Sequence, residues 1–433
     1  ELNQYNYIRA NLQSKNNNRI SIYLENKSIG DIRPISLKVN KGIKFLPEKE
    51  YIVKSKIGSK NKENIVSFIT ESNFEDSNNS LIDEITLNYS IVGIDRIKSI
   101  KVFNYSKLIN QEKNFLNSRI KKNLEEYPFI FINNQNKVIT LKEGRWEIDE
   151  PIFFPSNYLI EANPGFNLKI NNGAYIVSNS AIRFIGKSNN PIVIYSEDKS
   201  GGLAILKTGT YSRLSNVIFN GLSNASSKNW EITGAVIFYE SPVEIQNTIF
   251  KNNISEDSLN IIKSQFSITD SKFLNTSSDS IDLDFSDGLI ENTDFINSGN
   301  DAIDISGSKV QVNDVEIIKV GDKAISAGEK SLLKGENIII KDSEIAYASK
   351  DLSSIKVTNI FIEDTRLGFV SFVKKPQYGP ASIEVSKSSF NNLEKIYLLE
   401  PNSSIKLNGD FLNINIDKVE KILYGKGYGK SSN

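Results

Sequence analysis

Five aspartates, Asp257, Asp279, Asp301, Asp322 and Asp342, recur at spacings of 22, 22, 21 and 20 residues, in the contexts SED, SSD, GND, VGD and KD. Asp282 and Asp304 repeat part of the pattern three residues further on. A fold that repeats with this period would stack the carboxylates in a row, about 5 Å apart like neighbouring strands. Such a row is either a set of turn residues accepting backbone N–H groups or a working surface. Charges stacked so closely repel, so a working row needs a cation, basic partners or shared protons. Asp257, Asp279 and Asp301 are the candidate calcium ligands. Lys323, next to Asp322, and Lys350, in ASKD, are candidate basic groups, with Arg366 and Lys374/Lys375 further along.

The rest of the chain narrows that chemistry. Cys, His and Met are absent, which removes thiolates, imidazole bases and the soft metal ligands. A hard cation held by carboxylates is the one metal site left. Lys+Arg and Asp+Glu both number 52 in 433 residues, so no net field recruits nucleic acid or an anionic membrane. No run approaches a transmembrane span of ~20 apolar residues. Freedom from oxidisable sulfur suits an exported protein, and the expected location is extracellular or in the cell envelope; no leader peptide is visible in these residues.

The elements that must position the aspartates repeat as they do. Aliphatic residues recur at Ile245, Ile268, Ile290, Val312, Leu333 and Val357, spaced 23, 22, 22, 21 and 24. Five residues after each stands another large apolar residue: Phe250, Phe273, Phe295, Ile317, Ile338 and Ile362. Short strands joined by Asn, Ser, Asp and Gly turns at this period predict a parallel β-helix, whose coils bury their apolar residues only by stacking. Phe250, Phe273 and Phe295 should then form an aromatic column inside. Upstream, residues 1–17 are polar and read as frayed, and alternating runs from Arg19 to Tyr105 predict an antiparallel β-sandwich-like domain over 1–106. Within it SNFEDSNNS reads as a solvated acidic loop. Leu108, Phe115, Ile120 and Leu124 share one face of an amphipathic helix over 107–127, expected to cap the first coil. The β-helix is expected over 128–425, in roughly ten or more coils, followed by a flexible tail at 426–433. Two insertions interrupt it, at 220–233 with Trp230 and at 372–382 with Tyr378. Excursions from a solenoid often build a binding wall.

The stretch from Lys137 to Asp198 carries Pro164-Gly165, Leu168-Lys169-Ile170, Ala174 to Val177, Gly186 and Pro191-Ile192 in order. In this wording, over roughly 135–410, the chain resembles the pectate-lyase-like right-handed parallel β-helix superfamily. The coil ends SSD-SIDLD, GND-AIDISGS and VGD-KAISAGE also resemble the active-site coils of polygalacturonase-type glycoside hydrolases. By position that resemblance implies Asp279 and Asp301 as two of its catalytic aspartates, with Asp322 at its histidine position. The chain departs from the pattern: Asn300 replaces the first aspartate of the pair, there is no histidine, and no Arg-Ile-Lys follows. Asp279, Asp301 and Asp304 could still supply two carboxyls ~6.5–9.5 Å apart around a water, as inversion requires. The β-helix polysaccharide lyases imply another route, with Lys323 or Lys350 removing a proton and carboxylates, sometimes through calcium, neutralising a uronate. Trp230 and Tyr378 could stack on sugar rings, and Asp282, Arg366, Lys374 and Lys375 complete the expected substrate-binding set.

The expectation is an all-β protein, a right-handed parallel β-helix preceded by a smaller sandwich-like domain and a capping helix. Its expected partner is a polysaccharide bound on the Asp-lined face, where cleavage is left open and, if it occurs, would be hydrolase or lyase chemistry. The alternative is a non-catalytic envelope or adhesion scaffold whose Asp ladder is structural. Insertions on the Asp face favour a substrate cleft; insertions on another face favour the scaffold.

Overall fold

The structure, a computed structural model, describes residues 8–16, 18–26, 30–39, 43–55, 65–70, 85–94, 96–103, 124–227 and 230–424. The chain forms two compact units, Glu1–Arg119 and Ile120–Asn433.

The first unit is a closed β-barrel rather than the expected sandwich. The strand Ile8–Asn16 pairs antiparallel with Arg19–Asn26 and parallel with Ile97–Phe103 through Ala10 and Val102, so the sheet has no free edge there. Ile8 and Ala10 are buried in the barrel core with Ile22, Leu37, Phe68 and Leu87, so residues 8–16 of the segment read as frayed form a barrel strand. The acidic loop SNFEDSNNS lies outside the described residues.

The second unit is a right-handed parallel β-solenoid, a 28-stranded sheet wound on itself. In the earlier coils a strand pairs with its counterpart one coil on, one strand to each of three faces; from Lys309 onward each coil runs as one long strand along all three, paired with the next. One face holds Gly234–Tyr239, Asp257–Ile262, Asp279–Asp284 and Ile303–Ser306. The aromatic column is present: Phe219, Phe250, Phe273 and Phe295 stack at 5.1, 4.7 and 5.0 Å between ring centroids. All four are fully buried, each worth about 1.5–3 kcal/mol of apolar burial. The corners hold ladders of their own. Backbone N–H groups of Ser241, Ser264, Ser286, Ser308 and Ser331 each donate to the serine hydroxyl of the next coil at 2.8–3.1 Å. At another corner Asn252, Asn275 and Asn297 adopt φ of 54–62°, and each amide donates to the coil before it. Asn tolerates this left-handed conformation better than most residues.

Several expected alignments shift. The aliphatic column runs from Val312 through Gly335 to Val357, and Leu333 pairs with Val310 two places earlier. Likewise Ile340, not Ile338, follows Ile317. Gly335 masks the pattern because its inward position is filled by neighbours, with Ile338 Cδ1 2.6 Å and Val357 Cγ1 3.3 Å from where a Cβ would lie.

The expected capping helix is not found among the described residues. The described helices are a 3₁₀ turn, Leu124–Glu126, and Glu420–Leu423, while most of the expected helix, 107–123, lies outside the described residues, as does the tail at 426–433. Among the described residues the first coil is covered instead by Tyr127, Phe129 and the hairpin Ile130–Asn133/Val138–Leu141. The Phe129 ring meets Trp146 at 5.5 Å and Phe166 at 5.7 Å. Bulky aromatics on a hairpin bury the open apolar end as a helix would.

Candidate functional site

Register decides which side chains share the Asp face. Asp257 is paired with Asp279, and the alignment Ile281, Ile303, Ile325 places Asp301 and then Lys323 in the same row. The row is therefore Asp257, Asp279, Asp301, Lys323. Asp322 is one place off, stacked on Asn300 through its N–H at 3.0 Å. Asp342 lies at the asparagine corner with φ 48°, away from the row. A second row holds Asn260, Asp282, Asp304 and Ser326, and Asp284 stands in a third. The five-membered ladder is thus a compact patch of Asp257, Asp279, Asp282, Asp284, Asp301 and Asp304.

The patch is bounded at both ends on its own face. Toward the N-terminus the second row continues as Ile237, Ala204 and Val177, covered by Ala225 and Ile232 of the insertion at 220–233. Toward the C-terminus it continues as Ala348, Val370 and Leu398, covered by Val419 and Leu423 of the C-terminal segment. Buried Glu400 ties the covers together, accepting N–H bonds from Val373 at 2.7 Å and Val419 at 3.2 Å. The insertion at 372–382 reaches the same side: Asp351 accepts the N–H groups of Lys374 and Lys375, and the Lys375 ammonium pairs with Glu329.

The inner row is sunk and internally bonded. Asp279 is 9% exposed and Asp301 3%. Asp279 Oδ1 accepts the Asp301 N–H at 3.0 Å and a bond from Asn300 Nδ2; Asp301 Oδ1 accepts the Lys323 N–H at 3.0 Å. Lys323 Nζ lies 3.4 Å from Asp301 and also pairs with Asp322. Lys350 Nζ donates to Ser326 Oγ at 3.0 Å and faces Asp304 at 3.8 Å. Burial, then the charge of Asp301, pushes the Asp279 carboxyl up to about 8. Burial, then Asp257 and Asp304, holds Asp282 well above the usual carboxylate range. Burial also lifts Asp301, which the Lys323 ammonium opposes, leaving it at about 6. Asp257 and Asp284 are raised by burial too. Burial works to lower both lysines, but the aspartate charges prevail and hold Lys323 and Lys350 firmly protonated. Asn260 Oδ1, Asn300 Oδ1 and Asp304 Oδ1 find no hydrogen-bond donor among the described residues.

Asp257, Asp279 and Asp301 share one row of the face. No group of three or more acidic side chains is arranged around a metal position among the described residues. Asp279 Oδ1 and Asp301 Oδ1 accept backbone N–H groups together with an amide or an ammonium, and Asp257 Oδ2 accepts the Asn260 amide, whereas calcium needs 6–8 oxygen ligands. Trp230 lies in the short ribbon Ser226–Ser227/Trp230–Glu231 of the first insertion. Arg366 pairs with Glu344 at 2.6 Å and Glu394 at 3.6 Å, in the row of Asp322 but beyond the acidic patch. Tyr378 sits in the second insertion, with Lys330 Nζ 5.9 Å from its ring. Asn260, which donates to Asp257 and Asp282, was missed by sequence reasoning because the Asp period alone was followed. A depression of ≈ 280 Å³ lies on another face, between Ile185, Arg213, Glu244 and Thr269; it holds one ion pair and no carboxyl cluster, so it is not the chemical centre.

No protein-family model and no curated protein matches the chain. Among solved structures it is similar to an alginate lyase from a Paenibacillus species, with 12% identity over 56% of this chain and 91% of that one, at a TM-score of 0.36. An exopolygalacturonase of family 28 from Yersinia enterocolitica shares 8% identity over 94% and 99%, at 0.38. A thermostable α-1,3-glucanase from Streptomyces thermodiastaticus shares 8% over 96% and 90%, at 0.40. At this level the likeness concerns the course of the backbone and transfers no residue role.

Proposed function

We propose that the protein binds a polysaccharide across the acidic patch and hydrolyses it there. The observation that carries this reading is that both insertions and the C-terminal segment lie on or beside the Asp face and leave Asp282, Asp284 and Asp304 half-buried between them. Asp282 and Asp304 are the reacting pair. They are half-buried and face outward, whereas Asp279 and Asp301 are sunk beneath backbone bonds. Asp282, whose carboxyl burial and the neighbouring Asp257 and Asp304 hold well above the usual carboxylate range, donates its proton to the leaving glycosidic oxygen. Asp304, facing the Lys350 ammonium, acts as the carboxylate. Side chains at one row position on adjacent coils are ~5 Å apart, the spacing of retaining pairs: Asp304 attacks the anomeric carbon as the protonated leaving group departs, and water, losing its proton to the Asp282 carboxylate, then displaces Asp304 and frees a product of unchanged configuration. Elimination is less well supported, because Lys323 and Lys350 hold their protons too firmly to serve as bases.

The test is product formation from neutral and acidic polysaccharides by wild type, Asp282→Asn and Asp304→Asn. Reducing ends that vanish in both variants, with unchanged melting temperature, are expected. Unsaturated products would make the protein a lyase. The inward bonds of Asp279 and Asp301 favour a second reading, a non-catalytic envelope scaffold with a structural ladder. No turnover and no binding across the panel would select it.

A further inference from the structure

Single exposed apolar side chains are common on protein surfaces and need no explanation. Phe285 differs in three respects. It follows Asp284 directly, at the corner where the acidic face ends, and is 58% exposed. Its backbone is left-handed, φ 51°, a conformation costly for any residue with a side chain and rare for a bulky one. The same corner carries Glu240 and Lys263 on the preceding coils, whose flexible chains reach into solvent, and Gly307 on the following one.

Gly307 explains how the ring is held. A Cβ on Gly307 would lie 2.6 Å from Phe285 Cδ1 and 2.7 Å from Cε1, so the ring lies along the stacking direction over the backbone of the next coil. One more coil on, Glu329 anchors Lys375 of the second insertion, and Lys330 stands beside the Tyr378 ring. Phe285 and the foot of that insertion are therefore two coils, ~10 Å, apart along the corner. The corner takes this left-handed conformation in coil after coil, at Glu240 and Lys263 as at Phe285, and only at 285 does the chain fill it with an exposed aromatic ring beside the cleft.

We propose that Phe285 is the aromatic floor of a pyranose subsite at the edge of the acidic face, stacking on the C–H face of a neutral sugar. The assignment rests on the polysaccharide reading above and adds to it a substrate class. A sugar seated there lies against Asp284, whose charge would oppose a uronate carboxylate, while the neighbouring Lys263 and Lys375 are already paired with Glu240 and Glu329.

The test is affinity for neutral glucans, mannans and polyuronates, with kcat and KM where turnover is found, for wild type, Phe285→Ala, Phe285→Asn and Phe285→Tyr. Phe285→Ala should weaken binding or raise KM roughly three- to tenfold on neutral glycans. Phe285→Tyr should keep wild-type affinity. Phe285→Asn should melt at or above the wild-type temperature, since Asn accepts the left-handed conformation, while still losing affinity. Wild-type affinity in Phe285→Ala, alongside Asp304→Asn that abolishes turnover, overturns the subsite and leaves the hydrolase reading standing. Polyuronate bound more tightly than neutral glycan overturns the substrate class. Absence of glycan binding in wild type overturns subsite and function together.

Discussion

Asp279 gives the sharpest test of the site's electrostatics. Its folded carboxyl is raised from the ordinary 3.8 to about 8, chiefly by burial and next by Asp301. A carboxyl with a raised folded pKa binds its proton more tightly in the native state. Its stabilisation is fully present below the unfolded pKa and is lost as pH rises through the folded one. For Asp279 the loss therefore runs from about pH 4 to about pH 8, with a slope near 1.4 kcal/mol per pH unit at full difference in proton binding. Between pH 6 and pH 8 this amounts to about 2–3 kcal/mol, or on the order of 4–10 °C in Tm for a solenoid of this size. Asp279→Asn is the matching perturbation: its amide oxygen still accepts the Asp301 N–H, and its NH₂ stands where the proton was. Thermal unfolding at half-unit steps from pH 5 to pH 9 should show wild type losing stability on alkalisation and the variant losing less. Asp282, raised in the same direction, keeps the variant's curve from becoming flat. A wild-type Tm constant from pH 6 to pH 8, or a variant curve parallel to it, would refute the protonated carboxyl.

Lys323→Met removes the ammonium that Asp301 and Asp322 share and leaves Asp301 buried without its counter-charge. Urea unfolding at pH 7.5 should record a loss of about 3–5 kcal/mol, most of it recovered in Lys323→Met/Asp301→Asn. Phe273→Ala takes the middle ring from the aromatic column between Phe250 and Phe295 and should cost about 3–5 kcal/mol. Phe273→Leu, which fills more of the gap, should cost clearly less by the same measurement.

The interior was legible because it repeats by chemistry. Phe250, Phe273 and Phe295 keep type as well as period, and the structure stacks them. Where type changes the count slips: glycine at 335 hid the inward position, so Leu333 and Ile338 were taken two places early. The polar face was harder to read for the same reason. The row continues past Asp301 as Lys323, and a search for like residues passes over the opposite charge that neutralises it. Phe285 and Gly307 carried no repeat at all, because their relation is a bulky residue using the space a missing one leaves. The barrel escaped sequence reading because its closure is a parallel contact between its first and last strands, which alternation cannot report.

One row shows how the fold confines the chemistry. Along the Asp face it reads Val177, Ala204 and Ile237, then Asn260, Asp282, Asp304 and Ser326, then Ala348, Val370 and Leu398. It is apolar where chain covers it and polar where none does. Placing a carboxylate under either cover would cost several kcal/mol without a partner, so the covers limit how far an acidic surface can extend. From Asn260 to Ser326 the open stretch spans three strand spacings, ~14 Å, room for about three sugar units along the axis. Alternation along each strand then fixes function as tightly as fold. A one-residue slip would turn Asp282 and Asp304 into the core and bring Leu283 and Ile305 out, so the register that buries the aliphatic column also aims the acids.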